Sequence, residues 1–109
     1  MKASKLLMVS AAAAVLFVST QATADLALAK KSGCLACHSV EKKIVGPAWA
    51  DVAAKYKGDA GAKERLIAKV KKGGKGNWTA VTGGAPMPPY SPRVSDADIA
   101  TLVDFVLGL

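Results

Sequence analysis

The run Gly33-Cys34-Leu35-Ala36-Cys37-His38 sets two thiols three positions apart and an imidazole directly after the second. Cysteines so spaced have three chemical uses. A redox disulfide of the thioredoxin kind needs a strand pattern ahead of the motif, and none precedes it. A closed zinc site wants four sulfur or nitrogen ligands, whereas the chain holds two cysteines and one histidine in all. The third use is attachment of a c-type haem, in which the thiols add across the two porphyrin vinyl groups and the next residue is held beneath the iron as its proximal ligand. Cys34, Cys37 and His38 fit that use.

A second stretch with chemical content is Ala85-Pro86-Met87-Pro88-Pro89. Prolines fix φ and restrict the residue before them, so this segment is stiff and extended. Rigidity of that kind suits a thioether that must stand at one place, and methionine is an axial haem ligand opposite histidine. Met1 and Met8 fall in the amino-terminal leader described below, which leaves Met87 as the single methionine of the remaining chain. Elsewhere a methionine is more often a filler of core gaps; the rigid setting beside a haem motif favours ligation here. Trp78, at the start of the same region, carries an indole N–H that needs a partner when buried, for which a haem propionate is an acceptor.

These groups must be positioned by short helices. Residues 25–31 form the first, with Asp25 near its start and Lys30 and Lys31 near its end, as the helix dipole prefers. Residues 39–45 are a polar loop closed by Gly46-Pro47, either plain turn punctuation or the source of a carbonyl that accepts the Nδ1–H of His38. Over 48–56, Trp49, Val52, Ala53 and Tyr56 recur on one helical face, and over 60–72 the buried side is Ala62, Leu66, Ile67 and Val70. Gly73-Gly74 stops that helix, and 73–94 is expected to be a long loop. Ser95 with Asp98 three positions on reads as a capping box opening a last helix, whose stripe is Ile99, Leu102, Val103 and Val106. That helix is expected to pack against the first one and to shield the haem from water.

At the amino terminus, Lys2 and Lys5 precede an apolar run, Leu6 to Val18, and the small residues Ala22-Thr23-Ala24. Residues 1–24 are thus expected to be a secretory signal peptide cut before Asp25, with 25–109 the working domain. That domain has 85 residues, a marginal size for an unaided core, for which a covalently held haem supplies a staple. Without Lys2 and Lys5, thirteen basic against eight acidic residues leave a charge of +5. An exported chain with its lysines spread over several segments does not read as a nucleic-acid binder; a basic face that steers an acidic partner fits better.

With both stretches in hand, the chain resembles the small bacterial class I cytochromes c, of the c551 type. The resemblance spans residues 25–109. It rests on Gly33-Cys34-x-x-Cys37-His38, on Val45-Gly46-Pro47-Ala48 followed by Asp51-Val52-Ala53-Ala54-Lys55, on Gly76-x-Trp78, on Pro86-Met87-Pro88-Pro89 and on Val94-Ser95-Asp96. It implies an all-α class I cytochrome c fold, about four short helices wrapped around one covalently attached haem c. It further implies His38 and Met87 as axial ligands, a Pro47 carbonyl that orients His38, Trp78 at a propionate, and Lys69 near the propionates. The function so implied is a soluble, monomeric carrier in the periplasm of a Gram-negative bacterium, with no stable membrane insertion and no nucleic acid. It is not an enzyme, and it passes single electrons between respiratory or photosynthetic partners: a donor such as a membrane cytochrome complex, an acceptor such as a terminal oxidase or periplasmic reductase. Three departures from the pattern stand out: Thr82-Gly83-Gly84 lengthens the path from Trp78 to Met87, Tyr90 to Arg93 extend the Met-Pro-Pro run, and Ala29 stands where an aromatic is common.

Overall fold

From Phe17 to Lys31 the chain has no glycine or proline and is rich in alanine, so nothing interrupts a helix. The computed structural model, which describes residues 17–109, has one helix there, α1 (Phe17–Lys31). It therefore begins upstream of Asp25 and runs unbroken through Ala22-Thr23-Ala24; the rest of the expected leader lies outside the described residues. Gly33, at φ 86°, makes the left-handed turn that a side chain would resist, and a short 3₁₀ turn, Cys34–Ala36, follows.

The remaining helices are α2 (Trp49–Lys55), α3 (Ala62–Lys72), α4 (Thr79–Thr82) and α5 (Asp96–Leu107). The single turn α4 was not expected; it interrupts what the composition marks as a continuous loop. No strand forms among the described residues, only isolated bridges between His38 and Lys43 and between Gly74 and Met87. No helix among them is long and apolar enough to cross a membrane.

α5 is the hub, packing on α1, α2 and α3. Its stripe divides between two apolar clusters: Leu102 and Val106 join Ala29, Cys34, Trp49 and Val52, while Ile99 and Val103 join Tyr90 and Val94. Ala29 is fully buried; its small side chain occupies the α1 side of the first cluster. Ser95 caps α5, its Oγ accepting from the Asp98 N–H at 3.1 Å.

Candidate functional site

Both loops that carry ligand-type side chains are pinned at the end of a helix. A helix N-terminus leaves amide donors without intrahelical partners and a C-terminus leaves carbonyls. At the start of α2, the Trp49 and Ala50 N–H groups donate to the Ser39 and Val40 carbonyls, each at 2.9 Å, fastening the segment just after His38. At the end of α3, the Val70 and Lys71 carbonyls accept from the Tyr90 and Ser91 N–H groups at 3.0 and 3.3 Å, fastening the segment just after Met87.

His38 is held on several sides. Its Nδ1 donates to the Pro47 carbonyl at 2.8 Å; the partner can only accept, so the proton is on Nδ1 and Nε2 carries the lone pair. Trp49 stacks on the imidazole with ring centroids 5.6 Å apart, and Phe105 meets Trp49 edge-on. Gly46 lies against the ring: a Cβ there would fall 2.5 Å from Cε1, 2.9 Å from Nδ1 and 3.0 Å from Nε2. Burial pulls the His38 pKa below its ordinary value, partly offset by the bond to Pro47, so the imidazole is neutral and able to bind a metal.

Cys34 is buried and Cys37 half-buried, and the two thiols are not joined to each other. Burial pushes the Cys34 thiol up, against the opposing charge of Arg93. The Arg93 guanidinium stands 4.9 Å from the centroid of the Tyr90 ring, which itself lines the site.

Cys34, Cys37, His38, Pro47, Lys69, Trp78 and Met87 all line one cavity of about 330 Å³. Its walls are apolar, built by Trp49, Val52, Leu66, Val70, Leu102, Val103 and Val106, while Lys69, Lys75 and Asn77 add polar groups. Trp78 packs edge-on against Tyr56, and Lys55 Nζ stands 4.7 Å from the Trp78 ring centroid while donating to the Asn77 carbonyl. Two ion pairs lie away from the cavity, Lys63 with Asp104 and Lys71 with Asp96, and a third ties Arg65, at the cavity lining, to Asp59. Lys69 and Lys75 have no such partner among the described residues.

The family model for cytochrome c matches residues 26–109. The chain belongs to the cytochrome c family. Cytochrome c-551 of Allochromatium vinosum is 60% identical over 92 residues, covering 84% of this chain and 93% of that protein. The crystal structure of wild-type Nitrosomonas europaea cytochrome c552 superposes with a TM-score of 0.69 at 49% identity, covering 77% of this chain and 98% of that one. That of the class 1 cytochrome MtoD from Sideroxydans lithotrophicus gives 0.64 at 31% identity, covering 79% and 92%. The protein is thus a class I cytochrome c of the c551 type, an electron carrier with a c-type haem and not an enzyme.

The residues present fit that group. Two unpaired thiols, a neutral imidazole with its lone pair on Nε2 and one thioether line a single apolar cavity. No cluster of three or more His, Cys, Asp or Glu among the described residues could hold a bare metal ion, which leaves the zinc alternative without a ligand set. Residue type puts Trp49 on a core face, and makes Gly46-Pro47 either turn punctuation or the source of a carbonyl for His38. Neither residue type nor spacing signals that both touch the imidazole, although Gly46 precedes the proline whose carbonyl takes the Nδ1 proton.

Proposed function

We propose that this protein carries one haem c, bound through thioethers at Cys34 and Cys37, with His38 and Met87 as the two axial ligands. The observation that carries the reading is that the single histidine of the chain and its single methionine beyond residue 24 line the same cavity. When bound, the haem supplies an iron that cycles between Fe(II) and Fe(III) one electron at a time. With both axial positions taken by side chains, no place is left for a substrate. The Pro47 carbonyl keeps the His38 proton on Nδ1 and raises the basicity of Nε2. The apolar walls exclude water, and with a soft thioether this favours the reduced state. Trp78 and Lys69 are the residues suited to meet the propionates, one as an N–H donor and the other as a cation.

The reading extends to place and partners. Residues 1–24 act as a secretory signal peptide, the carrier works as a soluble monomer in the periplasm, and the lysines at the cavity guide it onto acidic faces of a membrane-bound donor and a terminal oxidase or reductase. A helix through Ala22-Thr23-Ala24 is compatible with this if the leader is removed from the extended chain before α1 forms. Met87→Ala tests the centre of the proposal. It should abolish the sulfur-to-iron charge-transfer band of the oxidised protein and let carbon monoxide bind quickly to the reduced protein. An unchanged band, or fast carbon monoxide binding without the substitution, overturns it.

A further inference from the structure

Pro88 and Pro89 cannot donate hydrogen bonds, so the backbone around Met87 depends on the few amides left to it. Those amides go to the end of α3. Gly74 N–H donates to the Met87 carbonyl at 2.8 Å and Met87 N–H donates to the Gly74 carbonyl at 3.0 Å, a reciprocal pair. For these backbones to meet, the residue before Gly74 must present nothing toward the loop. Gly73 has φ 72° and ψ −165°, and a Cβ there would overlap the Met87 carbonyl oxygen while lying 2.8 Å from Pro89 N and 2.9 Å from Pro88 C. All three neighbours are main-chain atoms, and the prolines on either side of Met87 stiffen the segment against yielding.

We propose that Gly73 is a positioning residue for Met87: its missing side chain sets how closely the Met-bearing loop seats on the end of α3, and hence where the thioether stands in the cavity. This rests on the reading of Met87 as an axial ligand. Gly83 supplies the comparison, since it lies in the same loop with φ 67° and nothing within 4 Å of a Cβ. An alanine at Gly83, with ψ 19°, meets only the backbone penalty of a left-handed residue, whereas one at Gly73 meets the collision on top of a backbone that essentially only glycine adopts.

The test uses the haem-loaded protein with Gly73→Ala, Gly83→Ala and Met87→Ala. Two properties are read: the charge-transfer band of the oxidised form, and the apparent affinity for imidazole, which competes for the place of Met87. Apparent affinity scales with the fraction of molecules in which the thioether has left the iron, so Gly73→Ala should bind imidazole roughly tenfold more tightly and Gly83→Ala within about twofold of the unsubstituted protein. Equal shifts in the two glycine variants, or none in Gly73→Ala, overturn the inference while leaving the ligand reading intact. A band that is absent from the unsubstituted protein, or that survives Met87→Ala, overturns the ligand reading and this inference with it. Should Gly73→Ala not accumulate folded, amide exchange of the unsubstituted protein decides. The Gly74 and Met87 N–H groups should be slow and open at one common rate, and exchange of either at the rate of a free amide counts against the pairing.

Discussion

Gly46→Ala isolates the packing of His38 from every other effect of a glycine substitution. Gly46 is buried but does not have a positive φ, so alanine can adopt its backbone without strain. The whole effect must then come from a methyl placed 2.5 to 3.0 Å from three atoms of the imidazole, when ordinary contact begins near 3.4 Å. The ring cannot simply step aside. Trp49 is stacked on it and Nδ1 is bonded to Pro47. Either the ring stays, at an overpacking cost of about 1–3 kcal/mol, or it moves and strands a buried carbonyl, which costs about 1–3 kcal/mol. These are alternatives, so the expected loss is about 2 kcal/mol, or a fall in Tm of roughly 8–16 °C for a domain of this size. Thermal unfolding of the haem-loaded protein, followed by circular dichroism and by haem absorbance, measures it. Gly61→Ala is the control, because a Cβ there lies 2.7 Å from Arg65 Nη1, the far end of a flexible chain that can swing away at no more than the small cost of its exposed pair with Asp59. A Tm for Gly46→Ala within about 2 °C of the parent, or equal falls in both variants, would refute the reasoning, since 1 kcal/mol should move Tm by about 4–8 °C.

Ser95→Ala removes the acceptor of the Asp98 N–H and should cost about 1 kcal/mol, measured by denaturant titration, with Ser95→Asn recovering most of it. The Asp59 carboxyl is held below its ordinary value of 3.8 chiefly by its hydrogen bond from Arg65. A carboxyl with a depressed folded-state pKa stabilises the fold above the unfolded value and loses that contribution as pH falls through the folded one. Asp59→Asn should therefore lower Tm slightly at neutral pH, and the gap to the parent should close as pH drops below 3.8. Lys69→Glu and Lys75→Glu should slow electron transfer with an acidic partner at low salt, and the difference should shrink as ionic strength rises. Lys63→Glu, at a residue already paired with Asp104, should do much less, and an equal effect would count against steering by the cavity lysines.

What the sequence made legible was chemistry tied to side chains and short spacing. The Cys34, Cys37 and His38 run, the lone Met87 among prolines, the Ser95 cap and the Ile99 to Val106 stripe each carry a local signature, and α5 meets α1 as the pattern of stripes implies. The first helix was harder to bound, because Ala22 and Ala24 are small enough to suit a protease site and are also good helix formers. The fastening of the two loops was invisible. Backbone amides and carbonyls are the same at every residue, so nothing in Ser39, Val40, Tyr90 or Ser91 announces which helix end each will meet. Gly73-Gly74 likewise reads only as a helix stop, since its close neighbour lies fourteen positions away at Met87.

The meeting of α1 with α5 has a mechanical consequence. The two helices come from opposite ends of the described chain, and both loops that serve the cavity lie between them in sequence. The terminal pair is therefore a clasp on a ring of chain. Tension applied to the ends loads the seam where Ala29 joins Leu102 and Val106 before it reaches either loop. Leu102 and Val106 are also cavity wall, so shear of that seam reaches the cavity while α5 still packs on α2 and α3. Pulling the molecule by its ends thus opens the α1 side of the first cluster first, with the segment after His38 still fastened to α2 and the Met87 loop to α3.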